Sequence, residues 1–103
     1  MIRIKIQRQE NLIKEINLLG HALYDDYGKD IVCAGVSAIL TTSVNAALKI
    51  NPNSLTYHQK RDAFQLIILN QEKITQQLMQ NMIDLLTELA DNYPKNIKME
   101  SEE

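Results

Sequence analysis

Residues 2–7 read IRIKIQ, and this stretch sets the architecture that the rest of the chain has to complete. Ile2, Ile4 and Ile6 alternate with polar residues, which is the period-two pattern of a strand with one buried face and one solvated face. An apolar sheet face has to be covered by a second layer. The segments that follow should therefore supply partner strands and helices to cover that face.

The next segment predicts a partner strand. Leu12, Ile16 and Leu18 fall on one parity after the polar residues 9–11, and Lys14 interrupts the pattern. A hairpin of the first two strands fits best. Its register stays open, because a shift of one residue would exchange the buried face and the solvated face.

A second hairpin is predicted in the middle of the chain. Residues 55–58 alternate between apolar and polar, a polar turn follows at 59–62, and residues 63–69 read AFQLIIL, which is typical of a deeply buried strand. A short strand at about 97–99 is a further candidate. The acidic residues 100–103 are expected to form a solvated terminus.

Two long amphipathic helices are predicted, because apolar residues repeat every three or four positions. The first covers about residues 31–49 and stops at the Asn-Pro-Asn sequence of 51–53. The last has Asn70 as its expected N-cap and ends before Pro94. The apolar positions of the first helix are Val32, Val36, Ile39, Leu40, Val44, Ala47 and Leu48. The expected stripe of the last helix is Ile74, Leu78, Met82, Leu85 and Leu89.

These elements predict a small α+β domain, residues 1–103, with an antiparallel sheet of two hairpins and two helices packed on it. Hydrophobic residues make up 45% and charged residues 23%, which is globular composition. The formal net charge of -2 gives no positive field for a phosphate backbone, so nucleic acid is not expected as a direct partner. The longest apolar run, residues 31–40, is too short to span a membrane, and we expect a soluble, cytoplasmic protein.

The single cysteine is the first candidate for chemistry. Cys33 lies in the first turn of the predicted helix, where Asp30 is placed to cap the helix by accepting a hydrogen bond from the amide of Val32 or Cys33. Free amides and aligned peptide dipoles put about half a positive charge at this end, which favours a thiolate. Cys33 is therefore either a reactive nucleophile or a small core residue.

His21 is the candidate partner of Cys33. It follows Gly20 where the second strand ends, and a long loop over residues 20–30 leads back to the start of the helix. If the helix begins beside that strand end, the imidazole and the thiol form a pair that can attack a carbonyl and protonate the leaving amine. Spacing alone leaves open that His21 is an ordinary loop residue.

Other residues near this segment have weaker claims. Ser37, one turn after Cys33, could hydrogen-bond the thiolate or the substrate, or bond back to the helix backbone. Gly35 makes room either for a substrate backbone or for a packed strand. Tyr24 and Tyr27 either line a groove or cover an edge of the core.

His58 lies among polar residues of a predicted strand and is expected to be exposed. A zinc site made of Cys33, His21 and His58 would have no recognised ligand spacing, so neither a metal nor another cofactor is expected. Gly20 and Gly28 are candidate hinges of the long loop, which we expect to be mobile without substrate and to order over it.

Several blocks of the sequence resemble the signature of the ribosomal-processing cysteine protease family, also called Prp or YsxB-like. They are Gly20-His21-Ala22, Gly28, and residues 30–38, which read DIVCAGVSA. The opening MIRIKI strand and a closing helix that ends in Asn92-Tyr93-Pro94 resemble the family too, so the similarity covers nearly the whole chain. Only residues 55–69 are ordinary.

The resemblance implies a homodimeric α+β endopeptidase in which His21 and Cys33 form the catalytic dyad, with a flexible loop at residues 22–29 between them. It further implies that the enzyme removes the N-terminal extension of large-subunit ribosomal protein L-twenty-seven, cutting after paired phenylalanines and before a small residue. The family pattern indicates no third catalytic residue. Asp30 and Ser37 are expected to support the site without acting as acid or base.

Two further expectations concern partners. A non-catalytic ribosome-associated adaptor that binds the same kind of peptide, with Cys33 inert, is the competing class. In the last helix, Met79, Ile83 and Leu86 broaden the apolar surface beyond what one contact needs, so part of this surface is expected to face a second subunit. The alternative is that the domain uses all of this surface internally.

Overall fold

A computed structural model describes residues 1–21, 23, 25–26 and 30–102 of the chain. The element order is β1 (Ile2–Gln9), β2 (Leu12–Leu19), α1 (Ile31–Ile50), β3 (Leu55–Lys60), β4 (Ala63–Ile68), α2 (Lys73–Asn92) and β5 (Ile97–Glu102). These five strands form a sheet in the order β3-β4-β2-β1-β5. The predicted α+β fold of two hairpins and two helices is confirmed, and the candidate final strand is present.

A β-bulge sets the register of the first hairpin. The pairing of β1 with β2 shifts between Gln7 and Arg8, and Lys14 is the extra residue on β2. The shift changes the parity of the strand, so Ile13 rather than Leu12 is buried on the core side. This answers the question of register that Lys14 raised in the sequence.

A glutamine of α2 holds the bulged strand in place. The N–H of Ile13 donates to Gln76 Oε1 at 2.8 Å, and Gln76 Nε2 donates to the Ile13 carbonyl at 3.0 Å. The amide of one side chain therefore satisfies both backbone groups of a residue that the bulge displaces from regular pairing.

The C-terminal strand is longer than predicted and runs parallel to β1, which makes the sheet mixed. Residues 100–102, expected to form a solvated terminus, extend this strand, although Ser101 and Glu102 remain exposed. Glu100 lies 3.3 Å from Arg3, and Glu102 lies 2.9 Å from Lys5. The hydrogen bond from Lys5 to Glu102, together with the charge of that carboxylate, raises the pKa of Lys5 above its usual value. Cross-strand ion pairs therefore accompany the pairing of this acidic segment with β1.

The start of α2 also differs from the prediction. The helix begins at Lys73, with Glu72 at the N-cap position, and Asn70 is not the cap. Asn70 Oδ1 instead accepts a hydrogen bond from the N–H of Glu72 at 3.2 Å. The asparagine forms a local turn before the helix, which is the other structure that its side chain commonly stabilises.

The buried side of α2 only partly matches the predicted stripe: Met82 is buried and Leu78 and Leu89 pack against the core. Ile74 and Leu85 are 40% and 41% exposed, whereas Met79, Ile83 and Leu86, expected to be surplus, are in the core. The two stripes are neighbours on a helix with a wide apolar arc, so periodicity alone could not choose the centre of that arc. The buried positions of α2 are Thr75, Met79, Met82, Ile83, Leu86 and Ala90.

The other helix, α1, lies against α2. An ideal Cβ built on Gly35 would be 3.3 Å from Leu89 Cδ2, so this glycine makes room for α2 and not for a strand. By length and composition alone α1 could cross a membrane, a test that the core helices of soluble proteins also pass. Its buried positions are Val32, Val36, Leu40, Ser43, Val44 and Ala47.

Candidate active site

A cleft of about 590 Å³ lies where β2 ends, α1 begins and the β3–β4 turn comes close to both. His21, Asp30, Cys33 and Ser37, the residues singled out in the sequence, all line this cleft. Gly20 lines it as well. The structure therefore brings the predicted site residues together at one end of the sheet.

The start of α1 places the cysteine. Asp30 has an extended backbone, and its Oδ1 accepts hydrogen bonds from the N–H of Val32 at 3.0 Å and of Cys33 at 2.9 Å. The predicted cap is thus present and uses both amides. Cys33 is half-buried in this first turn, at the positive end of the helix, which is the kind of position where thiolates are favoured. The Asp30 carboxylate on the same amides offsets part of that positive charge.

The backbone at the end of β2 places the histidine. Gly20 has a φ of +91°, and a Cβ at this position would lie 2.5 Å from the carbonyl oxygen of Met1. Only glycine fits such a conformation and such a close approach without strain. The Gly20 N–H also donates to the carbonyl of Asp62 at 2.9 Å, so the chain is held on both sides just before His21.

Asp62 is a member of the site that the sequence did not reveal. Its Oδ1 lies 2.5 Å from His21 Nε2. In the sequence Asp62 is only the last residue of a polar turn, and no local pattern connects it to His21. The signal that connects them is the pairing of β2 with β4, in which Leu19 and Ala63 are partners.

Ser37 and His58 are two further candidates that the structure describes. Ser37 is exposed and lines the cleft one turn after Cys33. His58 is exposed, as predicted. Its neighbour in β3, Gln59, lines the cleft, and successive side chains of a strand point to opposite faces of the sheet. The structure therefore does not bring His58 to Cys33 and His21 as a third metal ligand.

Part of the loop prediction cannot be compared with the structure. Tyr24, Tyr27 and Gly28 lie outside the described residues, as do Ala22 and Lys29. The predicted groove tyrosines, the second hinge glycine and the ordering of this loop over substrate therefore stay predictions.

A smaller pocket of about 190 Å³ lies beside the cleft. The two share Ser37, Leu40, Gln59 and Phe64 among their lining residues. In the smaller pocket, Phe64 and Tyr57 have stacked rings, with centroids 5.8 Å apart and planes inclined by 22°. The cleft therefore continues along α1 into a partly aromatic pocket.

The sequence is similar to those of known cysteine proteases. The family model described as Cysteine protease Prp matches residues 1–98. A ribosomal processing cysteine protease Prp from Staphylococcus aureus is 31% identical over 103 residues, which cover 96% of this chain and 97% of that protein. The Bacillus subtilis protein of the same name is 39% identical over 49 residues, covering 47% of this chain and 44% of its own.

Solved structures of the S. aureus protease have the same fold as this chain. Its complex with a covalently linked product peptide matches this chain with a TM-score of 0.92 and 28% sequence identity, covering 98% of this chain and 99% of that one. Its complex with a substrate peptide gives a TM-score of 0.86 and 27% identity over the same coverage. The relatives are cysteine proteases, and this chain has a cysteine and a histidine in one cleft. The chain therefore belongs to the cysteine protease Prp family.

Proposed function

We propose that this protease cleaves peptides with Cys33 as its nucleophile and His21 as its general base and acid. The observation that carries the proposal is the shared cleft, in which the cysteine stands at a capped helix start and the histidine at the nearby end of β2. A cysteine nucleophile needs a neighbouring base and a local environment that favours its thiolate. The shared cleft and the helix start support both requirements for Cys33 and His21.

The proposed reaction proceeds through a thioester. His21 takes the proton of the Cys33 thiol, and the sulfur attacks the carbonyl carbon of the scissile bond. The amide nitrogen leaves with the proton from the imidazolium, and the N-terminal fragment stays bound to sulfur. Water, deprotonated by His21, then attacks the thioester and releases the fragment as an acid while the thiol re-forms. Asp30 supports these steps by fixing the start of the helix, and Ser37 supports the site from the wall of the cleft one turn after Cys33.

We propose that the substrate is the N-terminal extension of large-subunit ribosomal protein L-twenty-seven, cut after paired phenylalanines and before a small residue. The relatives described above are ribosomal processing proteases, which supports a ribosomal protein as the substrate. The pocket beside the cleft supports an aromatic side chain, because Tyr57 and Phe64 offer ring faces and edges for it to pack against.

The cleavage site provides the test of this substrate. A synthetic peptide with the sequence Phe-Phe-Ala at its centre should be cut once, after the second phenylalanine. A control peptide with alanine in place of the second phenylalanine alone should react about 10- to 100-fold more slowly, because burial of one phenylalanine contributes about 1.5–3 kcal/mol. Mass spectrometry of the fragments identifies the bond. Cleavage elsewhere, or equal rates for both peptides, would contradict the proposed specificity.

Membership of a cysteine protease family favours the enzyme over the ribosome-associated adaptor. An adaptor would bind the same segment but would have no use for a cysteine at a capped helix start beside a histidine.

We also propose that the protease is a homodimer. The reason drawn from the sequence does not hold, because Met79, Ile83 and Leu86 are buried in the core of their own chain. The support comes instead from Ile74 and Leu85, which are exposed and lie on one face of α2. Sedimentation equilibrium at micromolar concentration should give twice the chain mass of 11.8 kDa, and a mass near 11.8 kDa would reject the dimer.

A further inference from the structure

We propose that Asp62 is a positioning residue of this protease, whose carboxylate selects the ring orientation and the tautomer of His21 that leave Nδ1 available to the thiol of Cys33. The inference rests on the proposed role of His21. It adds a residue from the β3–β4 turn to a site otherwise built from the end of β2 and the start of α1.

The backbone of Asp62 is fixed relative to the histidine. Lys60 pairs with Ala63 at the end of the β3–β4 hairpin, so that Arg61 and Asp62 form its turn. On the other side of β4, Ala63 pairs with Leu19, and the next contact is the hydrogen bond from the Gly20 N–H to the Asp62 carbonyl at 2.9 Å. The sheet register thus places the turn next to the residue that precedes His21.

The side-chain contact determines which ring nitrogen is the base. A carboxylate only accepts hydrogen bonds, so the 2.5 Å contact between Asp62 Oδ1 and His21 Nε2 requires the proton on Nε2. In a neutral imidazole the other nitrogen, Nδ1, then carries the free lone pair. Once Nδ1 has taken the thiol proton, the positive ring lies beside the negative carboxylate, which stabilises it.

Solvent exposure indicates how Asp62 acts. The side chains of His21 and Asp62 are 48% and 58% exposed, so water screens much of the attraction between their charges. We therefore expect orientation of the ring to matter more than charge. An asparagine at position 62 could rotate freely in this exposed turn and present its amide oxygen to Nε2 in the same way.

Two variants of Asp62 and one control test the proposal. Asp62→Ala should lower kcat about fivefold to tenfold while KM changes less than about twofold. Asp62→Asn should recover most of that loss. Asp91→Ala removes the same charge from an exposed position on α2 and should leave both constants unchanged. The ring ¹⁵N shifts of His21 at neutral pH should report the Nε2–H tautomer in the wild type and in Asp62→Asn, and a mixture of tautomers in Asp62→Ala.

Three results would overturn the proposal: a wild-type kcat in Asp62→Ala, a loss that Asp62→Asn does not recover, or the same His21 tautomer in every variant. The ¹⁵N measurement needs no turnover. If the proposed function fails, because a protein without the Cys33 thiol still cleaves peptide, the spectra still decide whether Asp62 sets the tautomer of His21. The two proposals can therefore fail independently.

Discussion

Replacing Cys33 by alanine is expected to abolish peptide cleavage, with a loss in kcat of roughly 10⁴-fold or more, because nothing else supplies the attacking atom. The fold should survive, since alanine is a good helix former and the Asp30 cap bonds use backbone amides that the substitution does not remove. Cys33→Ser should also be nearly inactive, because this environment does not deprotonate a hydroxyl.

The measurement combines three readouts on each variant: product formation, circular dichroism for the fold, and calorimetric titration with an uncleaved peptide for binding. Thr42→Ala is a suitable control, since Thr42 is an exposed residue of α1 outside the residues that line the cleft. We expect it to match the wild type in all three. Turnover that survives in Cys33→Ala would exclude the cysteine as the nucleophile.

Replacing Gly20 by alanine is expected to lower stability and activity together. The φ of +91° is strained for any residue with a Cβ, and that Cβ would lie 2.5 Å from the Met1 carbonyl oxygen, which belongs to the backbone and cannot rotate away. We expect the free energy of unfolding to fall by about 1–3 kcal/mol. Because the chain must shift beside His21, kcat/KM should also fall about tenfold or more, since a small misplacement of a reacting group is costly.

A second glycine supplies the matched control. In Gly35→Ala the new Cβ would meet only the end of the Leu89 side chain at 3.3 Å, and alanine is favoured over glycine in a helix by about 1 kcal/mol. Chemical denaturation and steady-state kinetics of both variants should separate them clearly. Wild-type stability and activity in Gly20→Ala would show that the conformation at this position does not matter to the site.

Local patterns were enough to predict much of the fold. The alternation in β1 and the three-to-four spacing in α1 come from residues close together in the chain, and both elements are present. The cap at Asp30 could be predicted for the same reason, because its partners are two and three residues away.

Features that depend on distant segments could not be predicted. The bulge at Lys14 is held by Gln76 of α2, and the buried side of α2 is chosen by packing from a wide apolar arc. The parallel partner of β5 is likewise decided by the assembled sheet.

In the candidate site, too, residues marked by local sequence could be predicted, and a residue placed by distant segments could not. Cys33 and His21 could be predicted because a helix start and a strand end mark them in the sequence. Asp62 could not, since its contact with His21 exists only after β4 has paired with β2.

The rate at which iodoacetamide alkylates Cys33 at neutral pH tests the central claim most directly. As the only cysteine of the chain, Cys33 can be followed by intact mass, and the denatured protein provides the rate of an ordinary thiol. We predict that the folded wild type reacts faster than the denatured protein and that His21→Ala slows the reaction, because the helix start and the imidazolium together favour the thiolate. A folded Cys33 that reacts no faster than the denatured thiol, or a rate that His21→Ala leaves unchanged, would contradict the Cys33–His21 pair.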